Sequence, residues 1–280
     1  MHALIELQRK NDAAVEADPT TDKITYDFFC STTPAECLDD VREMFDKVGP
    51  WPMEVNLIVD AGKSFDEHFN DAFSQIFSMG YESIVSIGGD VPTMPKSHIK
   101  QAFQWLDYFQ AIERPGFAYA PCQECGTSLV GFSYNTVMDH TGVYYNMEGR
   151  PALDGYLQKL QQAGVPSAYF DPVADVDEVT DLAHAISCMR AIREAAQYQD
   201  LFVPHRTLSW VEFMGIKVST PPNENHDPRD YLDGDANLPG AEQPAEERLT
   251  DEDLERVEML NRAIQGKQAA ENAYEASKYE

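Results

Sequence analysis

The run Ser83-Ile84-Val85-Ser86-Ile87 ends in Gly88-Gly89 and is followed at once by Asp90-Val91-Pro92. Read as a buried strand, it sets a carboxylate just past its C-terminal end, the edge at which open α/β sheets bind their ligands. Gly88 and Gly89 let a bound group approach the backbone closely, and Asp90 suits a divalent cation beside phosphates. The plain alternative is an Asp in a turn before proline. Two later segments carry further polar chemistry: Pro121-Cys122-Gln123-Glu124-Cys125-Gly126 and Asp175-Val176-Asp177-Glu178. A Cys-x-x-Cys can bind zinc together with a second pair, or exchange disulfides. The sequence holds no second Cys-x-x-Cys, although Cys30 and Cys37 could bring their sulfurs to the same sheet edge. Loop cysteines standing where small residues would serve are the simpler reading. His205 and His226 read as ordinary surface or packing histidines.

These residues need a scaffold, and residues 23–200 alternate β-rich runs with helical patterns, which is the signature of a sheet with helices on its faces. Strands are expected over 24–29, 54–59, 83–87, 117–120, 128–132 and 167–170. Thr33-Pro34-Ala35-Glu36 reads as a cap, a proline at the first helical position and a capping-box Glu, opening a helix that buries Leu38, Val41, Met44 and Phe45. Ser64 and Glu67 cap the next helix, whose Phe65, Phe69, Ala72, Phe73 and Ile76 recur at helical spacing until Gly80. Further helices are expected over 95–109, 151–163 and 179–197. Leu208, Trp210, Val211, Phe213 and Met214 form an apolar patch that either docks back onto the core or serves as an interface. Beyond residue 220, five prolines among Asp, Glu and Asn mark an extended arm. One more helix is expected there, starting at Thr250, with Leu254, Val257, Leu260 and Ile264 in a narrow stripe.

The order strand-Gly-Asp-x-Pro, strand-Pro-x-x-acid-x-Gly, then Asp-x-Asp entering a helix resembles the bacterial glycosyltransferase-like branch of the nucleotide-diphospho-sugar transferases. These are GT-A-type proteins related to the molybdenum-cofactor and phospholactate guanylyltransferases. The resemblance covers residues 20–195. It implies a three-layer α/β/α, Rossmann-like GT-A sheet over residues 1–200, a docking segment over 201–220 and an acidic, Pro-rich C-terminal extension over 221–280. It also implies a metal, Mg²⁺ or Mn²⁺, held by Asp90, Asp175 and Asp177, and donor contacts from Gly88, Gly89, Glu67, Glu124 and Gly126. Gly62 precedes Glu67 as in the family's Gly-x-x-x-Gly-Glu-Arg stretch, and Leu129 and Gly131 match its Leu-x-Gly.

The departures are specific. The family's arginine after the matched Glu is His68, and Glu124-Cys125-Gly126-Thr127-Ser128 stands for Asp-Gly-Gly-Tyr-Tyr. The family opens with a strand and a basic loop that cradles the nucleotide phosphates. Residues 2–8 read as the helix that would follow them, so the domain is expected to lack that first strand and loop. Asp60-Ala61-Gly62-Lys63-Ser64 is no substitute, since a phosphate loop needs Gly where Leu57 stands.

Across its 280 residues the chain carries 21 Lys and Arg against 48 Asp and Glu, a net charge of −27. Such a surface excludes non-specific nucleic-acid binding and attraction to anionic membranes. Residues 221–280 hold 16 acidic and 6 basic side chains, so the first 220 residues remain strongly acidic by themselves. No run has the length of a membrane span, and an odd count of five cysteines fits a cytoplasmic protein better than a disulfide framework. Two functions stay open. One is metal-dependent transfer from a nucleotide-activated donor, with nucleotide or nucleotide-sugar as a weakly held ligand. The other is a non-catalytic binding or assembly protein, with a protein partner or a second copy engaged through the extension. Removing residues 221–280 is expected to leave a folded domain, since the alternating pattern is complete without them. A near-UV circular dichroism spectrum that loses its fine structure on truncation would contradict this.

Overall fold

In the computed structural model, residues 1–218 and 232–233 are described, the side chains of Glu124, Leu232 and Asp233 excepted. They fall into two compact units, Met1–Phe213 and Met214–Glu280. In the second unit Lys217–Val218 pairs antiparallel with Leu232–Asp233. The expected helix after Thr250, His226 and the prolines beyond residue 220 lie outside the described residues.

The first unit is a mixed α/β domain. Its order is α1 (His2–Ala17), β1 (Phe28–Thr32), α2 (Leu38–Val48), β2 (Val55–Val59), α3 (Phe65–Ser78), β3 (Ser83–Ile87) and α4 (Lys96–Ala111). There follow β4 (Phe117–Pro121), β5 (Thr127–Ser133), α5 (Ala152–Ala163), β6 (Ser167–Tyr169), α6 (Val179–Ala195) and α7 (His205–Phe213). Four strands form one sheet in the order β3-β5-β4-β6, with β5 antiparallel to both neighbours and β4 parallel to β6. The C-terminal ends of β3, β4 and β6 therefore meet the start of β5 along one edge. β1 and β2 form a separate parallel pair. Among the described residues no strand joins β1 to β3. Their N-terminal flanks touch instead through the Phe29 and Tyr81 rings and a 2.7 Å bond from the Tyr81 hydroxyl to Asp27.

Local chemistry explains both ends of α3. Ser64 caps α3 by accepting from the Glu67 N–H, and Gly80, at φ +97°, takes the left-handed turn that stops it. Two expectations differ at the start of the domain. Residues 24–27 are extended but not in the sheet, because Gln8 and Asn11 on α1 bond to the backbone of Ile24 and Tyr26 in place of a strand. Thr33 does not cap a helix: Ala35–Cys37 is a 3₁₀ turn, and α2 begins only at Leu38. α1 packs on α4, where Glu6 bridges Lys96 and Lys100 at 2.8 and 2.7 Å. Leu208 and Val211 of the apolar patch are buried, while Trp210 and Phe213 stay exposed.

The core has two clusters, one on each side of the four-stranded sheet's central residues. Leu106, Phe109, Ala118, Ala120 and Leu129 lie in one, and Phe73, Phe117, Phe132, Tyr156 and Leu160 in the other. The second cluster encloses His140, whose ring meets Phe69, Phe73, Phe132 and Tyr156. His140 Nδ1 and its backbone N–H both reach Asn70 Oδ1, at 2.8 and 2.9 Å, and Nε2 is buried without a partner. Nδ1 donates to an amide oxygen, and a second proton on the buried Nε2 would find no acceptor, so burial lowers the pKa from 6.5 to about 4. Because the folded pKa is depressed, the unfolded chain binds the extra proton first. Stability from this group is full above pH 6.5 and is lost as pH falls towards 4, by up to about 3 kcal/mol. His140→Phe, which keeps the aromatic packing, is expected to flatten that part of the stability profile. Urea unfolding at pH 7, 5.5 and 4.5 checks this, and equal pH slopes for parent and variant would contradict it.

Candidate functional site

The edge where β3, β4 and β6 end is joined by one buried serine. Ser128 is 2% exposed, its carbonyl accepts from the Gly88 N–H at 3.2 Å, and its hydroxyl donates to the Val173 carbonyl. The Val173 N–H in turn donates to the Pro121 carbonyl at 2.9 Å. Gly88, Ser128, Val173 and Pro121 thus form one hydrogen-bonded row. Asp90 follows Gly88 by two residues and Asp175 follows Val173 by two, so the row brings the two carboxylate-bearing loops to one place. Sequence reading passed over Ser128. The only signal available was a polar residue opening an otherwise apolar strand.

The expected ligand residues have distinct surroundings. Asp90 is exposed and folds back over Gly88, whose added Cβ would sit 2.4 Å from Asp90 Oδ1. A side chain at Gly88 would have to displace the Asp90 carboxylate, whereas a Cβ at Gly89 would meet nothing within 4 Å. Asp175 has a buried Oδ1 with no partner, and Gln123 clamps its backbone with bonds of 2.8 and 3.1 Å. Asp177 is exposed, and its N–H donates to Asp181, a member of the capping box that opens α6. Gly126 leaves room for the Cys122 sulfur, which would lie 2.6 Å from an added Cβ. Glu124 lies in the 3₁₀ turn Gln123–Cys125, and its side chain is outside the described atoms. Glu67 is exposed and already accepts from the Lys63 N–H at 2.7 Å.

All five cysteines are free, and among the described residues no group of three or more His, Cys, Asp or Glu is arranged around a metal position. Burial, reinforced by the neighbouring Asp175 carboxylate, pushes the Cys122 thiol up to about 12. A thiol held protonated is a poor nucleophile and a poor ligand, which favours the plain reading of that loop. Two shallow clefts of about 500 and 520 Å³ flank Phe45 and Trp51, and neither includes a residue of this edge.

A second polar group stands at the ends of β1 and β2. Asp60 accepts from Ser31 Oγ and, at 2.7 Å, faces Nδ1 of His68 on the first turn of α3. The same turn carries Asp66, only 3% exposed, which accepts from the N–H groups of Gly142 and Tyr144. The Tyr144 hydroxyl lies 3.4 Å from Thr127 Oγ1, beside Ser128. Tyr144 therefore links the turn that carries His68 to the Ser128 row.

This architecture is the α/β fold of the nucleotide-diphospho-sugar transferases. It matches a proposed nucleotide-diphospho-sugar transferase from Desulfovibrio desulfuricans G20 with a TM-score of 0.53 and 16% identity, over 72% of this chain and 80% of that one. A cytidylyltransferase from Leptospira borgpetersenii serovar Hardjo-bovis (strain JB197) matches with a TM-score of 0.42 and 13% identity, over 67% of this chain and 76% of that one. Residues 30–147 match the family described as "Uncharacterized protein conserved in bacteria (DUF2064)". No curated protein matches the chain. The Rossmann-like α/β fold expected from the motifs is thus the fold of the chain. No helix among the described residues is long and apolar enough to cross a membrane.

Ser128→Ala is expected to leave the Val173 carbonyl buried without its donor, at a cost of about 2 kcal/mol. Chemical denaturation measures the loss, and a midpoint unchanged from the parent would show that the row does not tie the two loops.

Proposed function

We propose that the chain transfers a group from a nucleoside diphosphate-activated donor bound across the edge where β3, β4 and β6 end. The observation that supports this is the Ser128 row, which sets the loops of Asp90 and Asp175 side by side on the ligand-binding edge of an α/β sheet. The fold likeness to the Desulfovibrio protein favours the same class of donor.

The donor set suits a hard divalent cation. Mg²⁺ uses one or two carboxylates and completes its octahedron with waters and substrate phosphates, so a cage of three protein ligands is not required. Asp175 Oδ1 is buried with no hydrogen-bond partner among the described residues, the Cys122 thiol lies against the same carboxylate, and Asp90 is the exposed carboxylate across the row. In this reading Asp90 and Asp175 hold Mg²⁺ or Mn²⁺, with Asp177 at the mouth of the site. The bound metal would supply charge neutralisation to the departing diphosphate. Gly88 keeps the turn tight enough for Asp90 to face the edge, Gly89 leaves open backbone for the donor, and Gly126 makes space beside Cys122.

Affinity follows from charge. A nucleoside diphosphate brings about three negative charges to an acidic domain, the family's arginine is replaced by His68, and Glu67 is already engaged. Donor binding is expected to be weak, on the order of millimolar. Titrating UDP-, GDP-, CDP- and dTDP-sugars with and without Mg²⁺ tests the reading. Asp90→Asn and Asp175→Asn are each expected to abolish the Mg²⁺-dependent part of binding while leaving the circular dichroism spectrum unchanged. Variants that bind like the parent would remove those residues from the site.

A further inference from the structure

His68 does more than fill the place of an arginine. Its Nδ1 faces Asp60 at 2.7 Å, where the Asp60 side chain is only 10% exposed and that of His68 is 25% exposed. Asp60 receives a second hydrogen bond from Ser31 Oγ, so both carboxylate oxygens are engaged and the carboxylate is fixed as an acceptor. The 2.7 Å contact sets Nδ1 against the carboxylate, so the ring nitrogen left to meet an acceptor is Nε2. Nε2 makes no hydrogen bond among the described residues and is not enclosed. This is the arrangement by which a carboxylate sets the tautomer of an imidazole and presents the opposite nitrogen as a base.

The surrounding charges are directed elsewhere. On α3, Glu67 accepts from the Lys63 N–H, and Asp71 accepts from the Ala61 N–H and the Gln75 amide. The Lys63 side chain is the nearby cation in the loop before α3, and that residue is exposed. From β1 only Ser31 approaches, and it bonds to Asp60. The turn that carries His68 is tied through Asp66 and Tyr144 to Thr127, the neighbour of Ser128.

We infer that His68 is the catalytic base of the transfer proposed above, with Asp60 as its positioning residue, and that the acceptor is a hydroxyl compound. This rests on the donor site assigned to the Asp90 and Asp175 loops. In the step, His68 Nε2 takes the proton of the acceptor hydroxyl as that oxygen bonds to the anomeric carbon of the donor sugar. The bond from the anomeric carbon to the diphosphate oxygen breaks, and its electron pair leaves with the nucleoside diphosphate. The products are the glycosylated acceptor, the nucleoside diphosphate and an imidazolium that returns its proton to solvent. No oxidant or reductant is needed.

The test uses the full chain with Mg²⁺ and millimolar UDP-, GDP-, CDP- and dTDP-hexoses, and measures nucleoside diphosphate release to water and to a panel of simple sugars. His68→Asn keeps a hydrogen-bond donor towards Asp60 but has no base. It is expected to lower kcat by about 10²-fold with KM for the donor unchanged within about twofold. His68→Ala is expected to regain turnover with added imidazole, while the parent does not respond. Near-UV circular dichroism confirms that both variants are folded. If one variant fails to fold, the other carries the comparison. Equal kcat in parent and folded variants overturns the inference, as does a rise in KM alone, which would make His68 a ligand contact. A parent that binds donor but releases no nucleoside diphosphate overturns the base while leaving the donor site standing. A parent that binds no donor overturns the donor site, and this inference with it.

Discussion

Everything at the candidate site depends on a buried serine bonding in two directions. The Ser128 backbone is part of the sheet and receives Gly88 at the end of β3, while its hydroxyl reaches the Val173 carbonyl after β6. Without that bridge the Gly88–Asp90 turn and the Val173–Asp177 segment would be two loops that merely share an edge. A hydroxyl suits the role because it is small enough for a 2% exposed position and still offers a donor. The sheet supplies the rest: β5 runs antiparallel between β3 and β4, so its first residues meet the last residues of both neighbours.

A second constraint comes from α3, which connects the two pieces of the domain. Its first turn faces both ways: His68 turns to Asp60 and Ser31 on the β1–β2 pair, while Asp66 holds the Gly142–Tyr144 loop that leans on Thr127. One turn further on, Asn70 fixes the buried His140 from the same helix. On the same helix Phe65 and Phe69 meet Tyr144 and His140 edge to face, and Phe73 stacks on Phe132. A short polar and aromatic stretch thus docks the helix on one cluster of the core and leaves a carboxylate–imidazole pair at the ends of β1 and β2.

Charge limits what this edge can bind. The domain is acidic even without its last sixty residues. The Cys122 thiol, pushed up to about 12 beside Asp175, is held protonated, which leaves carboxylates and an imidazole as the other polar groups near this edge.

The sequence by itself determined the class of fold and the order of the elements. Alternation of β-rich and helical patterns is local information, and caps such as Ser64 with Glu67 and the stop at Gly80 act within a few residues. The Gly-Asp-x-Pro, Cys-x-acid-Cys-Gly and Asp-x-Asp segments pointed to one edge, since loops after parallel strands collect there. Tertiary structure alone decided what those residues meet. The role of Ser128, the orphaned Oδ1 of Asp175 and the pairing of Asp60 with His68 join residues far apart along the chain, and no periodicity encodes such contacts. The split between β1–β2 and the four-stranded sheet, and the extended run at 24–27 held by α1 side chains, were likewise hidden. Strand propensity is written in the residue, but pairing is settled by whichever backbone or side chain reaches its N–H and C=O groups first in the folded chain.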